Sequence, residues 1–253
     1  MSRDKQVVDA LAIELRFVFV EMLFALTIAE VATQVATLVA DGLGITQAPS
    51  SYSHLLLATI VVAASWIGWK NSEAAGNKLP VDEVFSLGFW VLLLDVALVV
   101  FYFILVRGAE KSVNQVVTPS VANETKWILI IFIGYFVWDV LTKAVPHVES
   151  RSLPKRLFGQ ELWDRGWISF ACTVLAVLIW FVSRGVSTQA GVVLTDVSLI
   201  ALALLFRSLK QSASWRKKNT GDPAAQAGLT KSNRWTAVCA FVLIVSLIAL
   251  AGV

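Results

Sequence analysis

Apolar residues along this chain gather into seven runs separated by polar or basic segments: roughly Phe17–Leu38, His54–Trp69, Val84–Val106, Trp127–Thr142, Trp167–Ser183, Gly191–Phe206 and Trp235–Val253. A helix needs about 20 apolar residues to cross roughly 30 Å of hydrocarbon. The first, third and last runs meet that length. The second, fourth and sixth are shorter, so they are expected to extend into their flanks or to cross a locally thinned bilayer. Tryptophans stand at or near the ends of several runs (Trp66, Trp69, Trp127, Trp138, Trp167, Trp180, Trp235), where amphipathic rings anchor a helix at the membrane interface. The pattern predicts an all-α fold: a polytopic integral membrane bundle of about seven transmembrane helices. The N-terminal run lacks a small-residue cleavage site and is interrupted by Glu21 and Glu30, so it reads as a retained first helix.

Charge orients the bundle. With the N-terminus cytoplasmic, all but four of the 21 Lys and Arg residues fall on the cytoplasmic side; the exceptions are Arg107, Lys111, Lys126 and Arg184. Basic residues in short loops stay inside, so the expected topology is N-inside and C-outside, in a bacterial inner membrane. Arg184–Ala190 is a short outer connector that makes the fifth and sixth helices antiparallel neighbours. Lys143–Arg165 contains Pro146 and Pro154 and is not expected to be one continuous helix. Residues 207–234 are read as a basic cytoplasmic loop, flexible around Lys217–Pro223.

Composition agrees. Hydrophobic residues make up 57% of the 253 and charged residues 15%, and mean hydropathy is +0.72; soluble domains run nearer 45–50% and about 25%. The length suits one membrane domain without a second sizeable soluble one. Cys172 and Cys239 both lie in apolar runs and read as small buried hydrophobes. His54 and His147 are far apart, which argues against haem ligation or a histidine-rich metal site. No phosphate-binding loop, HExxH or CxxC is present. No catalytic residues, metal or cofactor are expected, and the chain is read as not an enzyme.

Five carboxylates fall inside the apolar runs: Glu21, Glu30, Asp95, Asp139 and Asp196. A charge at the bilayer centre costs roughly 2.5–3.5 kcal/mol on insertion scales, so such residues face a bundle interior, a cavity or a partner. On the first helix Thr27, Glu30 and Gln34 share one sector, while the opposite face is apolar. A polar edge of this kind suits a cation path or a proton relay; it also suits packing against another helix. Asp95 has only apolar neighbours one turn away, so its partner must come from elsewhere, and an arrangement with Glu30 facing Asp95 is expected. Asp196 reads as part of an acidic outer mouth. Glu21 is placed at the inner end, near Arg16, and Asp139 four residues before Lys143; ion pairing along the cytoplasmic surface explains both. The expected ion or proton pathway is therefore Thr27, Glu30, Gln34, Asp95 and Asp196, with Glu21 and Asp139 structural or on the path.

Trp215, Arg216, Lys217 and Lys218 form a basic patch with an aromatic anchor, suited to anionic lipid headgroups or a cytoplasmic partner and not to nucleic acid. The stretch Phe19–Ile28 (Phe-Val-Glu-Met-Leu-Phe-Ala-Leu-Thr-Ile) resembles the first-helix signature Phe-Ser-Asp-Gly-Val-Phe-Ala-Ile-Ala-Ile of the six-helix endolysosomal and bacterial potassium channels. Val20 stands at the Ser of that signature and Met22 at the Gly, and this chain has an extra span. The resemblance implies cation conduction. Two function classes follow: a cation-permeable channel or proton-coupled carrier, as a homo-oligomer or part of a membrane complex, and a non-transporting scaffold or effector subunit.

Overall fold

The structure is a computed structural model and describes residues 3–74, 85–109, 112–113, 116–117, 119–143, 166–218 and 223–252. The described residues form seven α-helices: α1 (Arg3–Ala40), α2 (Pro49–Ala74), α3 (Leu87–Arg107), α4 (Ala122–Lys143), α5 (Trp167–Val182), α6 (Gln189–Lys218) and α7 (Pro223–Ala251). A two-rung antiparallel ladder, β1 (Ser112–Val113) with β2 (Val116–Val117), lies between α3 and α4 in the chain. Six of the helices are long and apolar enough to cross a membrane. The 16-residue α5 is about 24 Å long at 1.5 Å per residue, shorter than the roughly 30 Å of hydrocarbon. Trp167 stacks on Phe170 at one end, and Trp180 packs on Phe181 at the other.

The short apolar runs gained length by extending into polar flanks. α2 begins at Pro49, where the missing N–H is harmless in a first turn, and α4 begins at Ala122. The largest difference concerns residues 207–234, expected as a loop. They are helical on both sides of 219–222, as the last turns of α6 and the first turns of α7. Good helix formers fill both arms, and hydroxyl groups join them. The Ser232 hydroxyl donates to the Ser208 carbonyl at 2.9 Å, Ser212 donates to Ser232 at 2.8 Å, and Thr236 donates to the Ser208 hydroxyl at 3.0 Å. Further out, Ser198 donates to Ser246 at 2.9 Å. Small hydroxyl residues bring the helices close and bond across them, the usual adhesive between helices in lipid. Gly228 completes the contact: a Cβ there would sit 2.8 Å from the Trp215 ring.

The helices pack in order. α2, α3, α4, α5 and α6 each touch the next, and α6 returns to α2, which closes a five-helix ring. α1 lies outside the ring against α2 and α3, and α7 lies outside it against α6. Exposure follows this plan. Met22 and Leu26 on α1 and Phe241, Ile244 and Ile248 on α7 are exposed apolar side chains, the surface expected towards lipid tails. Leu57, Ala58, Ile128, Ile131, Phe132, Leu199 and Leu202 belong to one buried apolar cluster and are almost inaccessible. At the start of α3, the Ser86 hydroxyl accepts from the Phe89 N–H at 3.2 Å, while Phe85, Phe89 and Trp90 cluster beside it as an interfacial anchor.

Gly228→Leu is expected to lower stability by about 1–3 kcal/mol, the usual range for overpacking, because an indole and its backbone must move together. Thermal unfolding in detergent followed by tryptophan fluorescence measures this, and an unchanged transition with unchanged emission contradicts the tight α6–α7 approach.

Candidate functional site

The end of the ring marked by Pro49, Arg107, Ala122 and Gln189 is the outer end in the charge-derived orientation. Four helices contribute to one buried group just below it. His54 comes from the second turn of α2, Glu124 from the first turn of α4, Asp196 from the third turn of α6, and the Leu105 carbonyl from the last turn of α3. His54 and Asp196 are 0% exposed and Glu124 is 1% exposed. These sites follow from helix-end chemistry. Leu105 lies in the final turn, where carbonyls lose their regular partners, and its oxygen lies 2.7 Å from His54 Nε2. A carbonyl only accepts, so Nε2 is the protonated nitrogen and donates. Glu124 occupies the first turn of α4, where the helix dipole favours an anion.

His54 Nδ1 consequently faces inward and lies 3.4 Å from Glu124 Oε2. Ligand atoms of His54, Glu124 and Asp196 all lie within 4.8 Å of one another. The Ser53 hydroxyl donates to Asp196 Oδ2, and the Ser50 N–H donates to the Gln189 side chain at 3.3 Å, which ties the start of α2 to the start of α6. His54 Nδ1, both Glu124 carboxylate oxygens and the Ser50 hydroxyl have no hydrogen-bond partner among the described residues.

A second polar level lies three turns deeper on the same helices. Ser65, Tyr135 and Arg207 each stand 11 residues after His54, Glu124 and Asp196. Eleven residues return a helix to within about 20° of the starting face and advance it about 16 Å. The Ser65 and Tyr135 hydroxyls bond to each other, and Tyr102 donates to Tyr135 at 3.1 Å. Phe206 stacks on Tyr135 with ring centroids 5.1 Å apart. Arg207 reaches over Gly68, where a Cβ would meet Nη1 at 2.9 Å. Asp139 lies one turn deeper again; it accepts from both Ser169 and Lys210. Asp95 accepts from Trp138 Nε1 at 2.9 Å.

Of the expected pathway residues, only Asp196 belongs to the outer buried group. Glu30 bonds Gln34 at 2.7 Å and Arg107 Nε at 2.8 Å, and Arg107 is 62% exposed, so this set lies at the rim of the ring. Thr27 donates to the Leu23 carbonyl of its own helix at 3.0 Å. Arg107 and Asp95 are 12 residues apart on α3, about 18 Å along the axis, so Glu30 and Asp95 occupy different levels instead of facing each other. Glu21 pairs with Lys70 of α2; the Arg16 side chain lies outside the described residues. The Lys143 side chain also lies outside them, and Asp139 is buried against Lys210 of α6 rather than placed at the surface. Trp215 packs on Gly228 within the α6–α7 hairpin instead of standing free as an anchor. Arg216 is exposed, while the Lys217 and Lys218 side chains and the segment 144–165 lie outside the described residues.

His54 and Glu124 were the residues that sequence reasoning missed. Both lie at the margins of short apolar runs, where a histidine or glutamate reads as interfacial. The common 11-residue spacing to Ser65, Tyr135 and Arg207 was the available signal, because it marks one face on each of three helices.

A buried ion pair costs about 3–5 kcal/mol when one partner is removed, far less when both are replaced by apolar groups. Lys210→Met alone is therefore expected to destabilise strongly, and Asp139→Leu with Lys210→Met to recover most of the loss. Thermal unfolding of the single and double variants tests the pair, and additive losses contradict it. No protein-family profile, curated protein or solved structure matches this chain, so a functional reading rests on the geometry of its own residues.

Proposed function

We propose that this multi-pass membrane protein is a carrier for a cation or for protons, working in a bacterial inner membrane, with His54, Glu124 and Asp196 as the occluded binding group. The observation that carries the reading is the placement of these three groups from three helices at 0–1% exposure, above buried apolar residues and a second polar level on the same faces. Ionisable groups at membrane depth favour a place on a substrate or proton route. Buried apolar residues Leu57, Ala58, Ile128, Ile131 and Leu199 stand between the two levels along their helices. A static open pore needs a continuous wet path; a sealed polar group instead suits alternating access, in which helices of the ring shift to open one side at a time. A groove of about 600 Å³ between the outer ends of α4 and α5 is lined by Val121, Thr125, Trp180 and Arg184 and by none of the three binding residues. The chemistry is binding and release, without an enzymatic step.

A scaffold or effector role is the second reading. It is favoured by the way Asp95, Asp139 and Glu30 each bond a side chain of another helix, which is how acids lock a bundle.

Purified protein in liposomes, under separate proton, sodium, potassium and divalent-ion gradients, distinguishes the two. The carrier reading expects flux that Glu124→Gln and Asp196→Asn each reduce at least tenfold while remaining monodisperse, and that Glu30→Gln leaves within twofold. Wild-type protein without flux under every gradient supports the scaffold. Loss in Glu30→Gln with retention in Glu124→Gln moves the path to α1.

A further inference from the structure

We infer that the His54–Glu124–Asp196 group is a binding site for a divalent first-row transition ion, of the zinc or manganese class. The inference deepens the carrier reading and rests on its assignment of these residues to cation binding.

The imidazole of His54 sets the geometry of the group. Nε2–H is committed to the Leu105 carbonyl at 2.7 Å, so in its neutral, metal-ligating form the ring presents the Nδ1 lone pair to Glu124 Oε2 at 3.4 Å. A carboxylate has only acceptors. Two lone pairs pointed at each other repel, and the arrangement becomes favourable when a cation lies between them. A histidine ligand whose other ring nitrogen donates to a backbone carbonyl is the usual outer-shell arrangement at metal sites; the bond fixes tautomer and ring plane.

Charge counting selects the valence. Glu124 and Asp196 ionised, with His54 neutral, give the group a charge of minus two. At 0–1% exposure a residual charge is strongly disfavoured. A divalent ion neutralises the group, while a monovalent ion leaves one negative charge. Donor type selects the element class. One imidazole nitrogen with carboxylate oxygens suits zinc, manganese or iron(II), whereas calcium and magnesium prefer oxygen-only shells.

Spacing agrees. Ligand bonds of about 2.0–2.1 Å at tetrahedral angles place neighbouring donors about 3.3 Å apart, close to the 3.4 Å between Nδ1 and Oε2. The wider separations, up to 4.8 Å, close by rotation of the carboxylates. The Ser50 hydroxyl, one turn before His54 on the same face of α2, has no hydrogen-bond partner among the described residues. It offers a neutral oxygen without adding charge.

The test uses full-length protein purified in detergent, stripped with chelator and titrated with Zn²⁺ and, separately, Mn²⁺ by calorimetry. X-ray absorption on the loaded wild type reads the ligands. The expected result is one ion per chain, a shell of one imidazole and several oxygens, and affinity retained in His147→Gln. Glu124→Gln should weaken binding by more than the 10–100-fold typical of outer-shell changes. If the variants fail to fold, the wild-type absorption spectrum decides alone. Stoichiometric binding with an oxygen-only shell, or binding lost in His147→Gln, overturns the site. No binding of either ion to folded wild type also overturns it, in favour of a protonated His54 paired with Glu124. Proton flux in liposomes without metal binding removes the metal and leaves the carrier. Metal binding without flux of any ion keeps the site and removes the carrier.

Discussion

Inside a bilayer a carboxylate cannot rely on water, so each buried acid in this chain must find its counterpart on another helix. That requirement organises the bundle. Asp196 is held by Ser53 of α2, Asp95 by Trp138 of α4, and Asp139 by Ser169 of α5 and Lys210 of α6. Lipid tails are as apolar as leucine and give helices little reason to choose neighbours. Polar bonds and close small-residue contacts therefore set the order of the ring. The serine-rich α6–α7 seam follows the same rule with neutral groups.

His54 is the point where this logic changes character. The other buried acids named above meet a donor; Glu124 instead faces Nδ1 of an imidazole whose Nε2 proton is directed at Leu105. Four helix segments converge on that ring, and each is near a helix end, where backbone groups are available and a small tilt moves the side chain far. The apolar layer beneath it is tightly filled, which keeps the outer group separate from the Tyr135–Ser65–Arg207 level.

Much of this architecture was legible in the amino-acid order. The apolar runs, the tryptophans at their ends and the distribution of Lys and Arg specify the helices and their alternation, because lipid imposes length and the loops retain charge. The helical extension of residues 207–234 was not legible: the basic run and the polar stretch Lys217–Pro223 read as a loop, whereas Ser208, Ser212, Ser232 and Gly228 serve as contact residues once α7 folds back on α6. The site was half legible. Asp196 stood out because it interrupts an apolar run. His54 and Glu124 did not, since interfacial position hides their burial, and only the packing of α2 against α6 and α3 against α4 makes them interior. Glu30, the most conspicuous residue of α1, lies at the rim because α1 is outside the ring.

The central claim is that His54 is fixed to Leu105 through Nε2 and turns Nδ1 towards Glu124 and Asp196. Nitrogen NMR of ¹⁵N-histidine-labelled His147→Gln protein in lipid observes this one ring directly. The account predicts an Nε2 that stays protonated and hydrogen-bonded, and an Nδ1 resonance that responds when a cation is added or when Glu124 is replaced by Gln. A ring with the proton on Nδ1, or one that averages freely between tautomers as in water, contradicts it.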